Sequence, residues 1–337
     1  MKLIIDAMGG DRGLSEAVKG VADASLEVDS LFVIVGDEEK IREELAPLEA
    51  DHAKIDVVGA ECTVEMTDDP MVILGSKRNS SMGVGLKLLK EEGDAFISTG
   101  NTGALFTGAS AIIRGAPGVK RAAIATILPF EFPILLLDSG ANVNVIPEYF
   151  VEWARLGTIY AKNVLGVEDP AVGLLNNGTE PHKGGQTRAE AYALLSDLPG
   201  IRFVGNVESS ELAHAPCDVL LTDGFTGNVT LKLIEGMSAY FFSTMKHIMT
   251  ESVLTKIASV PLSGRVKELK NVFDPTEYGG APILGLSKPV IKAHGSSGAQ
   301  AITAAIRRAE AFVRSGATEM IIEEEKKREK GAAKNEK

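Results

Sequence analysis

Cysteine is scarce in this chain: two residues, Cys62 and Cys217, among 337. Two thiols cannot build a disulfide framework, and they suit a reducing compartment. Histidine is scarce too, and His52, His182, His214, His247 and His294 show no two-histidine metal spacing, so no metal site is expected. Lys and Arg number 35 against 46 Asp and Glu, a net charge of −11. That balance lacks the basic face a nucleic-acid binder needs, and it requires any membrane contact to be local and apolar. No uninterrupted apolar stretch reaches about 18 residues, so no spanning helix is expected. No charged-then-apolar leader precedes Lys2-Leu3. Together these absences point to the cytoplasm. Familiar nucleotide and hydrolase signatures are missing as well: no Gly-x-Gly-x-x-Gly after the first strand, no Gly-x4-Gly-Lys and no Gly-x-Ser-x-Gly. A dinucleotide cofactor, ATP hydrolysis and a serine triad all lose ground, and no cofactor is expected. His214-Ala215-Pro216-Cys217 reads as unrelated burial rather than a thiol–imidazole pair.

What the chain has instead is glycine, and a recurring use for it. Five times an apolar run stops at a turn of small polar residues and glycines, and helix-like sequence follows. The turns are Asp6-Ala7-Met8-Gly9-Gly10-Asp11, Ser98-Thr99-Gly100-Asn101-Thr102-Gly103, Asn176-Asn177-Gly178-Thr179, Thr222-Asp223-Gly224-Phe225-Thr226-Gly227-Asn228 and His294-Gly295-Ser296-Ser297-Gly298. In a parallel open sheet such turns gather at the carboxyl edge, where ligands bind. Their N–H groups, hydroxyls and helix N-termini are what a phosphate or an oxyanion needs.

The strands alternate with helices over most of the length. Leu3–Ile5, Leu31–Gly36 and Ile55–Val58 enclose helices around Leu14–Leu26 and Glu38–Leu48. Helices over Ser81–Glu92 and Ala104–Ile113 flank the strand Ala95–Ser98. Ala122–Leu128 and Ile134–Leu137 read as strands joined by Pro129–Pro133 in a hairpin. Pro147–Val164 and Thr187–Leu195 are helical, and Val172–Leu175, Arg202–Gly205 and Val219–Thr222 are strands. This pattern predicts a doubly wound, mostly parallel three-layer α/β/α sandwich. Residues 229–260 form a long helical stretch and Pro261–Tyr278 a connector, so a helical protrusion is expected over about 236–275. Phe242, Met245, Met249, Val253, Ile257 and Val260 recur at steps of three or four along it, a narrow apolar stripe about five turns long. Residues 297–314 resume a helix. One large catalytic domain over 1–322 is expected, followed by a charged tail over 323–337 that frays or is disordered.

Among candidate ligand groups, Ser98–Ala104 is the strongest, with Gly100, Asn101, Thr102 and Gly103 as anion holders. Asp223 and Asn228 belong to a similar turn. Lys183 places a cation in a Gly-flanked loop, and Arg78 stands at a helix start among Asn79, Ser80 and Ser81. Asp6 and Asp11 either orient neighbouring donors or bind a divalent cation.

These blocks occur in one order with Asp138-x-Gly140-Ala141-Asn142, Gly205-Asn206-Val207-Glu208, Glu277-Tyr278-Gly279-Gly280 and Lys292-Ala293-His294-Gly295-Ser296-Ser297. From residue 1 to about 315 the chain closely resembles the bacterial phosphate acyltransferases of phospholipid synthesis, the acyl-ACP–phosphate transacylases. The resemblance implies an isocitrate dehydrogenase-like or phosphotransacetylase-like fold, a homodimer and peripheral association with the inner face of the membrane. It implies acyl-ACP plus phosphate giving acyl phosphate plus free acyl carrier protein, ahead of a glycerol-3-phosphate acyltransferase. Two local departures stand out: Arg12 follows Asp11 where the family often has His, and Glu180-Pro181-His182-Lys183-Gly184 replaces the more usual Glu-Glu-Gly-Lys-Gly.

That chemistry explains the missing triad. Phosphate titrates near neutrality and is already a nucleophile, and a pantetheine thiol leaves with a pKa of about 8.5, as for Cys. What remains is to position two anionic reactants and to stabilise a tetrahedral oxyanion. Under this reading Asn101, Thr102 and the N–H groups of Gly100–Ala104 hold phosphate, with Arg78, Ser296 and Ser297 contributing. Lys183 neutralises phosphate or oxyanion, Asn228 and His294 donate to the acyl carbonyl or thiol, and Asp6, Asp11 and Asp223 support. Two alternatives stay open: a short-chain phosphotransacetylase using acyl-CoA, and a non-catalytic phosphate- or acyl-carrier-binding protein at the membrane.

Overall fold

The computed structural model describes residues 1–130, 132–273 and 278–335, with side chains up to residue 328. Glu277 of the quoted blocks and the last two residues of the tail fall outside these. Eleven strands are assigned: β1 Lys2–Asp6, β2 Leu31–Gly36, β3 Ile55–Gly59, β4 Ala95–Ser98, β5 Ala123–Leu128, β6 Ile134–Leu137, β7 Ala171–Asn176, β8 Arg202–Glu208, β9 Val219–Leu221, β10 Ala281–Leu284 and β11 Val290–Lys292. They form one sheet in the order β3-β2-β1-β4-β11-β10-β5-β6-β9-β7-β8. β3 through β11 make one parallel block and β6 through β8 another. Between them β10 and β5 pair antiparallel to their neighbours.

That insertion changes the expected geometry of the turns. Each antiparallel pairing reverses direction, so the two parallel blocks run opposite ways and have separate carboxyl edges. The register nevertheless brings those edges together. Lys292, the last residue of β11, pairs with Ala281; Ile283, two residues on, pairs with Ile124; and Ala125 pairs with Leu137, the last residue of β6. The two sets of strand ends therefore point at one zone from opposite sides, and the turns face one another across it.

Among the described residues there are eleven α-helices: α1 Leu14–Glu27, α2 Glu38–Leu45, α3 Ser81–Glu91, α4 Thr102–Ile112, α5 Pro147–Asn163, α6 Gln186–Ser196, α7 Gly224–Thr250, α8 Val253–Ser259, α9 Ser263–Val272, α10 Ala299–Arg314 and α11 Ala317–Asn335. Successive strand residues point to opposite faces. Leu3, Ile5, Leu135, Leu137 and Leu221 join a continuous core with α1, α5, α10 and α11. On the other face Ile4, Val33 and Phe96 pack with α3 and α4, while Ile134, Leu136 and Leu220 pack with Leu231 of α7 in a separate cluster. One face has a single core and the other has two, with a gap between them.

The expected protrusion is present, in altered form. Only Gly224, Gly227 and Leu231 of α7 are buried, and α8 and α9 bury no residue. The helix breaks at Glu251–Ser252, where Ser252 and Thr255 form a capping box that starts α8. The predicted stripe is thus divided between two helices: Phe242, Met245 and Met249 are half-buried, with Phe242 against Phe273, whereas Val253, Ile257 and Val260 are exposed. A different row, Phe225, Val229, Leu233, Met237 and Tyr240, lies open along α7. Residues 263–272, expected to be connector, are helical. The charged tail continues α11 to Asn335; the helix is anchored ahead of the tail by the buried Ile321, and Glu325 is buried against Arg328. Strand β10 was not expected: Gly279 and Gly280 precede it, and Pro282 lacks the N–H that a strand interior uses.

Candidate active site

A cavity of about 320 Å³ fills the gap between the two smaller cores, with Ile124 from one and Leu231 from the other in its wall. Ile127, Tyr278, Ala281, Ala293 and Ala301 extend the apolar lining, and Asp11, Thr102, Thr126, Ser139, Asn228, Lys232, Glu235, Lys292, His294 and Ser297 supply polar groups. Both carboxyl edges contribute: Asp11, Thr102 and His294 follow β1, β4 and β11, and Ser139 and Asn228 follow β6 and β9.

The β1 and β4 turns are locked together. A Cβ on Gly9 would lie 2.6 Å from the Gly100 Cα, so only glycine at position 9 lets the two backbones approach this closely. Asp6, buried at the end of β1, accepts from the Ser98 hydroxyl at 2.7 Å and the Met8 N–H at 3.2 Å. Ser98 Oγ in turn accepts from the Gly100 N–H at 3.0 Å, and Asp11 N–H donates to the Gly295 carbonyl at 2.8 Å. Burial raises the Asp6 carboxyl above its ordinary range, an effect opposed by its hydroxyl and N–H donors and by Lys292. No group of three His, Cys, Asp or Glu able to hold a metal ion occurs among the described residues.

Asn101 is buried and fully engaged. Its Oδ1 caps α4 by accepting from Ala104 N–H, and its Nδ2 donates to the carbonyls of Glu65, Met66 and Asp68. The groups left for an anion in this turn are the Thr102 hydroxyl and the first N–H groups of α4, Thr102 and Gly103, which have no intrahelical acceptor. Across the cavity the N-terminus of α7 is clamped against the turn after β6. A Cβ on Gly227 would fall 2.0 Å from the Asp138 carbonyl oxygen, so no side chain fits there. Asp138 closes its own turn by accepting from the N–H groups of Ile124, Ala141 and Asn142. This fixes Ser139, whose hydroxyl pairs with Thr126 at 2.6 Å, and Gly140, beside the Asn228 side chain.

His294 Nδ1 lies 2.8 Å from the Ser296 hydroxyl and accepts from the Ser296 N–H at 3.2 Å. Burial, reinforced by Lys232, holds the imidazole below its ordinary pKa. The neutral ring then carries its proton on Nε2, a donor rather than a strong acid. Lys232 is paired with Glu235 at 2.6 Å. Lys292 is buried at the end of β11, in register with Ser98, and Ser98 is in register with Asp6.

Of the residues singled out in the sequence, Asp11, Thr102, Asn228, His294 and Ser297 line the cavity, and Asp6, Gly100, Asn101, Gly103 and Ser296 sit in or behind its turns. Lys183, Arg78 and Asp223 are not among the lining residues. Lys183 is half-buried on the loop after β7, where its carbonyl accepts from Asn176. Arg78 is exposed before α3, and its neighbour Lys77 is paired with Asp68. Asp223 caps α7 and pairs with Arg188. The sequence reading passed over Lys292, Lys232 and the Thr126–Ser139 hydroxyls. Of these only Lys292 carried a signal, a lysine ending an apolar run inside a quoted block.

A family model described as "Fatty acid synthesis protein" matches residues 1–320. The chain is 43% identical over 327 residues to a phosphate acyltransferase of Acetivibrio thermocellus, covering 96% of each chain. It is 40% identical over 330 residues to one of Bacillus subtilis, covering 97% of this chain and 98% of that one. In fold it is similar to a phosphotransacetylase from Streptococcus pyogenes, at a TM-score of 0.60 and 18% identity over 92% of this chain and 94% of that one. A phosphotransacetylase from Staphylococcus aureus superposes at 0.57, with 16% identity over the same shares. With two turns of anion donors facing each other over a half-apolar cavity, and relatives of this closeness along nearly its whole length, the chain belongs to the phosphate acyltransferase family of transferases.

Proposed function

We propose that the protein moves a long acyl chain from acyl carrier protein to inorganic phosphate, giving acyl phosphate and free carrier for a following glycerol-3-phosphate acyltransferase. The observation that carries this reading is the mixed lining of one cavity. Thr102, Ser297 and the α4 N-terminus suit phosphate, His294 and Asn228 suit the carbonyl oxygen or the sulfur, and Ile124, Ile127, Leu231 and Ala301 suit an acyl chain. Phosphate attacks the thioester directly, with no covalent enzyme intermediate: Cys217 is buried, its thiol pushed up to about 12 by desolvation. An acetyl group would leave most of this apolar wall uncovered, which favours a long acyl chain over a short one. Comparing acyl-phosphate formation from long-chain acyl-ACP and from acetyl-CoA tests this. Faster turnover of acetyl-CoA would make the protein a short-chain phosphotransacetylase, and binding without turnover would make it a carrier-binding protein.

The same reading places the enzyme as a homodimer at the inner face of the membrane, in a cytoplasm-facing position. No described helix is long and apolar enough to cross a membrane. Val253, Leu254, Ile257 and Val260 are each at least 66% exposed at the tip of the protrusion, and an acidic protein must use such apolar groups to meet lipid. The open row on α7 suits a second copy. Val253→Glu with Ile257→Glu is expected to release the enzyme from liposomes while soluble turnover persists. Unchanged sedimentation with vesicles would refute the lipid contact, and a stable wild-type monomer would refute the dimer.

A further inference from the structure

We propose that Lys292 is the proton donor to the departing sulfur, a catalytic residue that acts from the floor of the cavity. The inference rests on the acyl-transfer reading above. It starts from an expensive arrangement: an ammonium at the end of an interior strand, in a row with Ser98 and Asp6 across β11, β4 and β1, with only 9% of the residue exposed. A lysine there is costly to desolvate, and an apolar residue would complete the strand at lower cost. Lysine has three N–H donors. Among the described residues the carbonyls of Thr99 (3.0 Å) and Ala293 take two of them. Lys292 also lines the cavity, so the third donor is available to whatever occupies it.

The other charged groups around it are less suited to the task. Lys232 of α7 is held by Glu235. The His294 ring accepts a hydrogen bond at Nδ1 and is held neutral. Asp11 and Asp6 favour the charged form of Lys292, and Lys232 and burial oppose it; burial dominates, bringing the ammonium down to about 8. An acid of that strength is mostly protonated at neutral pH and close to the thiol it serves, at about 8.5. Proton transfer between groups so matched is where general acid catalysis is most effective.

The step balances as follows. A lone pair of hydrogen phosphate forms the C–O bond to the thioester carbon, and the carbonyl π pair moves to oxygen. The oxyanion re-forms the carbonyl and breaks the C–S bond. Sulfur leaves with that bonding pair and takes a proton from Lys292 Nζ. The new acyl phosphate is a stronger acid than hydrogen phosphate, and the proton it sheds restores the ammonium, so no outside acid is consumed.

The test compares two thioesters of one acyl chain, one leaving as a pantetheine thiol and one as an acidic aryl thiol that needs no proton. Lys292→Met is expected to lose about 10²–10⁴-fold in kcat with the pantetheine thioester and less than about tenfold with the aryl one. Equal losses on both would overturn the assignment and make Lys292 an anion holder or a structural lysine. A measurement on the unaltered enzyme covers the case of a variant that does not fold. The dependence of kcat/KM on leaving-thiol acidity is expected to be shallow at about pH 7 and steep at about pH 9, once Nζ has lost its proton; the same slope at both would also overturn it. Acyl phosphate formed from neither thioester by the wild type would remove the underlying reaction, a failure distinguishable from either of these.

Discussion

The turns after β4 and β11 and the turn after β7 look alike in sequence, yet they meet very different surroundings. The first two enclose the row Asp6–Ser98–Lys292, in which all three residues are buried, the Ser98 hydroxyl donates to Asp6 and Lys292 donates to the Thr99 carbonyl. The third carries Lys183 on a loop between Gly178 and Gly184, outside the cavity that Lys292 lines and beside another one lined by Asn176, Gly184 and Arg188. Position relative to the switch in strand order separates them. β1 lies between β2 and β4, where an open α/β sheet forms its crevice, whereas β7 lies next to the edge strand β8. The residue types set what a turn is able to bind, and the strand order sets whether it encloses the substrate or borders it.

This contrast can be broken by measurement. Asp6→Asn removes a negative charge that favours the ammonium of Lys292. The lysine should then lose its proton below about 8, and the alkaline limb of the kcat/KM profile should shift to lower pH, with turnover near pH 8 down by about 10². An unmoved limb would mean that the two groups are not coupled. Lys183→Ala should cost about tenfold or less, short of the 10²–10³ of a lost oxyanion donor. A loss in that higher range would bring the β7 loop over the cavity in the working complex and erase the distinction. Asp223→Ala deletes the cap of α7 and leaves Arg188 without its carboxylate. Urea denaturation should register about 1–2 kcal/mol, and no change would show the helix start to be held by Gly227 packing alone. Cys62→Ala with Cys217→Ala should leave turnover within about twofold; loss of chemistry in a folded protein would revive a thiol mechanism.

Much of this was legible from the chain. Periodicity and turn chemistry place the strands named in the sequence to within a few residues, and Asn228, His294 and Thr102 come from turns that do line the cavity. Lys292 escaped notice because its one signal, a lysine ending an apolar run, does not say whether the side chain leaves the strand for solvent or ends it buried. That depends on β10, whose Pro282 argues against a strand in the sequence. The same strand reverses the second block, so the facing of the two carboxyl edges was also out of reach. Asn101 was found for the right turn, but the carbonyls of Glu65, Met66 and Asp68 that engage it are about 35 residues away along the chain and have no local signature.

Helix α7 resembles a beam built in at one end. Its first turn is fixed where Gly227 meets Asp138 and Asp223 meets Arg188, and Leu231 is its last buried residue. From there to Thr250 it runs 19 residues, about 28 Å at 1.5 Å each, with one side bare. Bending of such a beam is greatest at the tip and vanishes at the wall. The apolar tip can therefore sway, or settle onto another surface, while Asn228 inside the wall keeps its place.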